Sequence, residues 1–279
     1  MNTVSFGSGQ RQVSIVGLGG EGVLRTFGRE TEARTVIRQA VSQGITYFDS
    51  ARVYSDSEVY YGSVWQDDPA LRESIFQTSK SASRDKAGAL ADLHSTLQRL
   101  HTTYLDLWQI HDVRTEEDLL AIAGPGGALE AFVEAKKNGL VRAIGVTGHH
   151  DPAVLTRAVQ EWPVDAVLLP VNPVEEVLGG FLTRTLAAAR QKGIAVIGMK
   201  ILGAGHFILP ELGVTPELLI RYALSSGITV AIVGCATAEE VGTLAAAAAQ
   251  PPLAEQEKSR LLHIFQPYAA RLAFYRGVI

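Results

Sequence analysis

Short apolar runs alternate with amphipathic helical patterns along the whole chain. Eight of the runs have the length and composition of strands, and most are continuously apolar, as is typical of parallel strands covered on both faces. They are Ser14–Leu18, Ile45–Phe48, Ser74–Thr78, Leu105–Ile110, Val141–Val146, Ala166–Leu169, Ile194–Met199 and Ile228–Val233. The helical patterns between them are Glu32–Gln43, Lys86–Leu100, Glu116–Asn138, Pro152–Glu161, Phe181–Lys192, Pro216–Ser225 and Ala238–Ala249.

Turn and cap residues mark the ends of these elements. Gly44 and Gly193 stand where a helix has to end before the next strand, a position at which left-handed backbone is common. The pairs Asp151-Pro152 and Thr215-Pro216 each supply a capping side chain and then a proline at the first helical position. The boundaries therefore fit a strand–helix alternation.

The alternation predicts the fold class. Eight strands with intervening helices and no linker-like stretch favour an α/β chain folded as one closed (β/α)8 TIM barrel over residues 1–279. Leu253–Phe274 is an extra C-terminal helical segment that would lie across one end. An open doubly wound sheet is the alternative, with residues 17–22 (Gly-Leu-Gly-Gly-Glu-Gly) as its dinucleotide fingerprint. A long polar loop follows where that fingerprint needs a helix, so we interpret these glycines as a turn with close backbone approach.

The composition is that of an ordinary soluble globular protein, with 47% hydrophobic and 19% charged residues. Lys plus Arg is 25 and Asp plus Glu is 29, a net charge of −4, which offers no basic stripe for nucleic acid. The single cysteine, Cys235, excludes an intrachain disulfide and fits a reducing compartment. Without an apolar signal region or an apolar run of about 20 residues, the chain is predicted to be cytoplasmic and to have no membrane partner.

Ionisable side chains end three successive strands of the predicted barrel. Asp49 follows the second strand, with Tyr54 in the next loop; Lys80 follows the third strand and His111 the fourth. Functional residues of such barrels lie at the C-terminal ends of strands and in the loops that follow, so these four side chains can meet at one mouth. Any one of them alone would more often be a cap, a solvated residue or a structural residue. Their joint order favours a catalytic site.

The chemistry of these side chains suits hydride transfer to a ketone or an aldehyde. A tyrosine has a pKa near 10 in water, and a neighbouring ammonium favours the phenolate, so Lys80 would lower the pKa of Tyr54. Asp49 would keep Lys80 charged and in place. His111 would orient the carbonyl oxygen while Tyr54 protonates the developing alkoxide.

The same residues resemble the aldo-keto reductase family. Residues 44–54, Gly-Ile-Thr-Tyr-Phe-Asp-Ser-Ala-Arg-Val-Tyr, followed by Tyr61-Gly62, look like the family's signature around its catalytic Asp and Tyr. Residues 78–80 and 109–111 look like its lysine and histidine motifs. The resemblance implies an NAD(P)H-dependent oxidoreductase that interconverts the carbonyl of a small-molecule aldehyde, ketone or sugar and an alcohol. By that resemblance Tyr54 is the general acid/base, Lys80 lowers its pKa, Asp49 pairs with Lys80, and His111 orients the substrate.

The resemblance also implies a cofactor site along the strand ends. Its residues would be Gly19, Gly20, Thr147, Gly148, Asn172, Met199, Lys200, Ile201, Leu202, Gly203, Gly234 and Glu240. Thr147-Gly148 stands where the family commonly has a Ser-Asn pair on the nicotinamide carboxamide, and Asn172 is the amide nearest to the family's Gln. Met199 replaces an aromatic residue that stacks on nicotinamide. The turn at residues 202–205 is expected to keep backbone N–H groups available to a pyrophosphate.

The segment after the last strand bears on the choice between NADH and NADPH. Many family members carry a Lys and then an Arg there, which hold the 2′-phosphate of NADPH, and here Gly234 and Glu240 align with those positions. A carboxylate repels a phosphate but can accept a hydrogen bond from the 2′-hydroxyl of NADH. We therefore predict that NADH is tolerated at least as well as NADPH. The structural alternative is that Glu239 and Glu240 complement the helix dipole, and Lys200 or Arg221 could still reach a phosphate.

Two other functions are compatible with the sequence. One is a barrel that binds nicotinamide cofactor to sense redox state or to contact a partner, for which the altered Thr147 and Met199 positions leave room. The other is non-redox elimination or isomerisation with Tyr54 and Lys80 as the base.

Two weaker signals favour structural interpretations. No metal site is predicted at His149-His150-Asp151, because adjacent side chains in a loop do not converge readily. Glu175-Glu176 could be the paired carboxylates of a glycosidase barrel, but we favour a solvated loop.

Overall fold

Eight parallel strands close into a barrel in the order in which they follow one another along the chain. The computed structural model describes residues 1–7 and 11–277. Its strands are β1 Thr3–Ser5, β2 Gln12–Ser14, β3 Val16–Gly22, β4 Tyr47–Phe48, β5 Phe76–Ser81, β6 Leu105–Ile110, β7 Val141–Thr147, β8 Ala166–Pro170, β9 Ala195–Met199 and β10 Val230–Cys235. Strands β3 to β10 form the barrel, and β10 pairs with β3 to close it. This confirms the predicted TIM barrel against the open sheet.

Helices follow the strands and cover the outside of the barrel. They are α1 Glu30–Ser42, α2 Ser57–Asp67, α3 Pro69–Ser74, α4 Lys86–Arg99, α5 Glu116–Ala123, α6 Ala128–Lys137, α7 Pro152–Glu161, α8 Pro173–Leu178, α9 Leu186–Lys192, α10 Pro216–Ser225, α11 Ala238–Ala249, α12 Glu255–Phe265 and α13 Ala269–Leu272. The larger apolar core lies between strands and helices. Asp151 and Thr215 cap α7 and α10 as predicted. Within the described ranges, no helix has the length and apolar composition needed to span a membrane.

A short antiparallel pair, β1 with β2, closes the N-terminal end of the barrel, and the sequence pattern did not predict it. Phe6, just after β1, lies with its ring centroid 4.5 Å from that of Phe76 and 6.1 Å from that of Tyr47. Val13 of β2 is fully buried in the same inner cluster. The barrel interior is therefore filled with side chains below the mouth, and the open end is the C-terminal one.

Two helical predictions need correction, and three helices were not predicted. The pattern over Glu116–Asn138 is two helices, α5 and α6, because Gly-Pro-Gly-Gly at residues 124–127 interrupts it. The C-terminal segment is likewise divided into α12 and α13, with Pro267 between them. Helices α2, α3 and α8 were not predicted. The buried face of α2 includes the polar Ser57 and Glu58 beside Tyr61 and Trp65, so the sequence shows no clear apolar stripe there.

The glycines of residues 17–22 form part of strand β3, so the predicted turn is wrong, while the predicted close backbone approach is confirmed. A Cβ atom on Gly20 would lie 2.8 Å from the carbonyl oxygen of Asp49 and 2.9 Å from Cδ2 of Tyr54. Gly22 has a φ of +69°, and a Cβ there would lie 2.4 Å from the carbonyl oxygen of Cys235. Only a residue without a side chain lets Tyr54 lie directly against the first barrel strand.

Candidate active site at the mouth of the barrel

The structure brings together the four side chains that end the second, third and fourth barrel strands. Asp49 follows β4, Lys80 lies in β5 and His111 follows β6, and these three strands are direct neighbours. Tyr54 reaches the same place from the loop before α2. Its ring and that of His111 meet edge to face, with centroids 5.6 Å apart.

Asp49 and Lys80 form a buried ion pair beneath the mouth. The Lys80 Nζ donates to Asp49 Oδ2 at 2.5 Å and to the carbonyl oxygen of Ser50 at 2.7 Å. The other carboxylate oxygen accepts from Thr78 Oγ1 at 2.8 Å and from Gln109 Nε2 at 3.3 Å. Burial lowers the pKa of Lys80, and Asp49 opposes that shift. Thr78 and Gln109 are visible in the sequence as polar residues within apolar strands. Their role, which is to hold the Asp49 carboxylate in place, was not predicted.

Tyr54 is a half-buried phenol between two cations. The Lys80 Nζ lies 4.8 Å from its ring centroid, and the Arg25 Cζ lies 4.9 Å from it. Burial raises the pKa of Tyr54 well above its usual value, Asp49 and Glu21 raise it further, and Arg25 opposes them. This is opposite to the lowering expected from Lys80 alone, because burial and the nearby Asp49 and Glu21 carboxylates together outweigh the attraction of a cation for the phenolate. The phenol is neutral and can act as a proton donor.

His111 contributes a neutral imidazole to the mouth. Burial, together with the Lys80 charge, lowers the pKa of His111 to about 3, although Asp112 opposes the shift. Its Nδ1 atom is buried and has no hydrogen-bond partner within the described part of the chain. A neutral ring that edges the Tyr54 phenol is well placed to form a hydrogen bond with an oxygen that also receives the phenol's proton.

The candidate cofactor residues all lie at the same edge of the barrel. They comprise Gly19 and Gly20 in β3, Thr147 and Gly148 at the end of β7, Asn172 after β8, Met199 through Gly203 at and after β9, Gly234 in β10 and Glu240 in the first turn of α11. The expectation that the turn at residues 202–205 keeps its amides available is wrong for two of them. The amides of Gly203 and Gly205 donate within their own turn, to the carbonyls of Lys200 and Leu202, so they are not available to a pyrophosphate.

Two of these polar side chains also hold the surrounding loops. Thr147 Oγ1 accepts from the Asp112 amide at 2.8 Å and keeps its own proton to donate. Asn172 Oδ1 caps α8, while its Nδ2 donates at 3.1 Å both to the Lys200 carbonyl and to the Tyr275 hydroxyl. Both hydrogens of Nδ2 are engaged, so Asn172 can donate to a ligand only by giving up one of these bonds.

Glu240 and Thr237 exchange hydrogen bonds with the backbone at the start of α11. Its Oε2 accepts from the Ala236 amide at 2.6 Å, and the Thr237 hydroxyl accepts from the Glu240 amide at 3.3 Å. The Thr237 hydroxyl thus pairs an amide that the helix start would otherwise leave unpaired, and the Glu240 carboxylate pairs an amide of the preceding loop. Glu240 therefore stabilises the start of α11, as the structural alternative holds. This does not prevent its carboxylate from also accepting a hydrogen bond from the 2′-hydroxyl of a bound NADH.

Glu175 does not lie in a solvated loop, and the expectation for it is wrong. It is fully buried in α8, where it pairs with the Arg276 guanidinium and accepts from the Tyr275 hydroxyl at 2.7 Å. Burial raises the pKa of Glu175, and Arg276 opposes that shift. The C-terminal segment is thus fastened over the mouth by partners about one hundred positions away in sequence, which no local pattern indicates.

Replacing Arg276 with Met is expected to destabilise the protein by about 3–5 kcal/mol, since it leaves the Glu175 charge buried without a partner. Urea unfolding measures the loss. Arg271→Met, an exposed arginine in the same segment, is the matched control and should change little. A second substitution, Glu175→Gln, should restore most of the stability of the Arg276 variant; no restoration would contradict the assigned pairing.

The prediction that His149 and His150 diverge is also wrong. Their rings lie with centroids 4.4 Å apart, and both Nε2 atoms face one oxygen of Asp112. Asp151 is not part of this group, because it caps α7. Asp112 was not considered from the sequence because it lies 37 positions before His149.

Comparisons with known proteins agree with this geometry. The sequence model described as "Aldo/keto reductase family" matches residues 16–208. Methylglyoxal reductase DkgB of Escherichia coli O157:H7 is 27% identical over 215 residues, covering 70% of this chain and 74% of the relative.

Solved structures share the fold at lower sequence identity. An aldo-keto reductase from Bacillus halodurans in its holo form has a TM-score of 0.80 at 20% identity, covering 95% of this chain and 96% of its own. An aldo-keto reductase from Klebsiella pneumoniae in complex with NADPH has a TM-score of 0.78 at 22% identity, covering 95% of both chains.

Proposed function

Because the chain belongs to the aldo/keto reductase family, we propose that it reduces the carbonyl group of a small molecule with NAD(P)H and that Tyr54 donates the proton. Membership of the family makes it an NAD(P)H-dependent oxidoreductase. The observation that carries the proposed mechanism is a neutral phenol lying against the buried Lys80–Asp49 pair, edge to face with a neutral imidazole.

The donor set at the strand ends fits a nicotinamide dinucleotide. The Thr147 hydroxyl has a proton for the carboxamide, Met199 offers an apolar face for the ring, and Lys200 brings a positive charge for the phosphates. These residues end β7 and end or follow β9, at the same edge as Tyr54. When bound, the cofactor supplies the hydride.

Tyr54 gives its proton to the carbonyl oxygen as that oxygen gains negative charge. The phenol holds this proton in the resting site because burial raises its pKa. His111 forms a hydrogen bond to the same oxygen and sets its direction toward the phenol. The Lys80 ammonium, 4.8 Å from the ring centroid, stabilises the phenolate that is left, so its attraction is used after the proton has moved.

The test is cofactor oxidation by purified protein. Aldehydes, ketones and sugar lactols are mixed in turn with NADH or NADPH and enzyme, and the absorbance of the reduced nicotinamide is followed. We expect oxidation that needs both enzyme and a carbonyl compound. Tight cofactor binding without turnover on any compound would instead favour the redox-sensor function, and turnover without nicotinamide would favour lyase or isomerase chemistry.

We further predict that NADH is used at least as well as NADPH and that Glu240→Arg shifts the preference toward NADPH. The reason is the charge at the start of α11, where a carboxylate disfavours a 2′-phosphate and a guanidinium attracts it. The measurement is kcat/KM for both cofactors. Glu239→Arg adds the same charge at the neighbouring position and is the control. A wild type that prefers NADPH by more than about tenfold, roughly 1.4 kcal/mol, would contradict this prediction.

A further inference from the structure

Two imidazoles and one carboxylate converge beside the mouth, outside the four residues of the proposed mechanism. Asp112 Oδ1 lies 3.3 Å from His149 Nε2 and 3.5 Å from His150 Nε2. Each of the three residues offers one candidate ligand atom, and these atoms all lie within 4.8 Å of one another. Asp112 follows His111 directly, so this cluster borders the place where the substrate carbonyl is proposed to bind.

The contacts within the cluster are short but are not hydrogen bonds. Asp112 Oδ1 and His150 Nε2 are both buried and lack a hydrogen-bond partner among residues 1–7 and 11–277. Buried polar atoms are normally paired, and each exception calls for an explanation. A carboxylate oxygen and two ring nitrogens face one another here. A cation between them would satisfy all three atoms.

The hydrogen bond on the far side of His149 fixes which of its nitrogens points into the cluster as a lone pair. His149 Nδ1 lies 2.7 Å from the carbonyl oxygen of Tyr275, which can only accept, so the ring hydrogen is on Nδ1. In the neutral ring, Nε2 then carries a lone pair that faces Asp112. A histidine whose other N–H donates to a backbone carbonyl is the usual arrangement of a metal ligand.

Asp112 is held in place from its other sides. Arg114 binds its second oxygen, Oδ2, through Nε at 2.8 Å and Nη2 at 2.6 Å. The Asp112 amide donates to the Thr147 hydroxyl, and its φ of +57° is left-handed, a conformation rare outside glycine. Oδ1 is therefore directed at the two imidazoles by a backbone and a side chain that are both constrained, as a preorganised ligand requires.

We propose that Asp112, His149 and His150 bind a divalent transition-metal ion of the Zn²⁺ class. Two nitrogen donors select such an ion over Mg²⁺ or Ca²⁺, which prefer oxygen ligands. Ligands at about 2.0–2.1 Å in a tetrahedral arrangement lie about 3.3 Å from one another, which matches the two oxygen–nitrogen separations. The site does not depend on the proposed carbonyl reduction, and its test does not use turnover.

The experiment is a titration of tag-free, chelator-treated full-length protein with Zn²⁺, followed by calorimetry. We expect one ion per chain. Asp112→Asn and His150→Gln should each weaken the affinity by at least about tenfold, since they remove a direct ligand and even outer-shell changes cost that much. His94→Gln, which removes an exposed imidazole on α4, is the control and should bind as the wild type does.

A second measurement on the wild type covers the case in which a variant does not fold. Titration with Co²⁺ should give the intense visible absorption of a low-coordinate site with nitrogen ligands, and Zn²⁺ should abolish it by displacement. Absence of both the Zn²⁺ heat and this spectrum would overturn the proposal, and the cluster would then share a proton instead. Binding that is equal in all four proteins would overturn it as well, because the ion would lie elsewhere.

Discussion

Tyr54→Phe is expected to lower kcat by at least about a hundredfold while leaving cofactor affinity nearly unchanged. Phenylalanine keeps the ring that packs on Gly20 and faces Lys80 but removes the proton donor. Proton transfer by a positioned side chain is typically worth about 10²–10⁴ in rate, so the loss falls on the chemical step. Steady-state kinetics gives kcat, and fluorescence titration with the reduced nicotinamide gives the affinity.

Tyr268→Phe is the matched control, since Tyr268 is 61% exposed on the C-terminal segment and is not one of the four residues of the proposed mechanism. It should retain the turnover of the wild type. Near-wild-type kcat in the Tyr54 variant would mean that the phenol is not the acid.

Lys80→Met is expected to cost about 3–5 kcal/mol of stability, because it leaves the buried Asp49 carboxylate without its cation. The ammonium and the carboxylate are 1% and 2% exposed, so water cannot replace the lost partner. Urea unfolding of the variant and the wild type measures the difference. The effect is one of stability, and activity is expected to fall with it.

The double variant Asp49→Asn/Lys80→Met separates the two consequences of this change. Both residues are then neutral, so no buried charge is left unpaired, and much of the lost stability should return. Activity should stay low, because the Lys80 ammonium, one of the two cations beside the Tyr54 ring, is absent. A double variant no more stable than the single one would contradict the assigned pairing.

The residues of the mouth could be predicted because barrel topology places the ends of successive strands next to one another. Asp49, Lys80 and His111 each end an apolar run, and consecutive parallel strands place their C-terminal ends side by side. The direction of the Tyr54 pKa could not be predicted in the same way. It depends on how deeply the ring lies against Gly20 and on how closely Lys80 is paired, and neither is a property of residue order.

Contacts between distant parts of the chain account for the remaining differences. The local sequence predicts a solvated Glu175, but Arg276 and Tyr275 of the C-terminal segment cover it. The local sequence predicts that the His149 and His150 side chains diverge, but both face Asp112, which lies 37 positions before His149. A local pattern reports periodicity and caps, whereas these partners are set by packing of loops from different strands.

The route of the hydride is the most direct test of carbonyl reduction at this mouth. NADH or NADPH that carries deuterium at C4 is oxidised by the protein with a reactive aldehyde or ketone, and the product alcohol is analysed by mass spectrometry and NMR. Reduction as proposed places one deuterium on the former carbonyl carbon and a solvent-exchangeable hydrogen on its oxygen. An alcohol without deuterium, or product formed without loss of reduced nicotinamide, would contradict it.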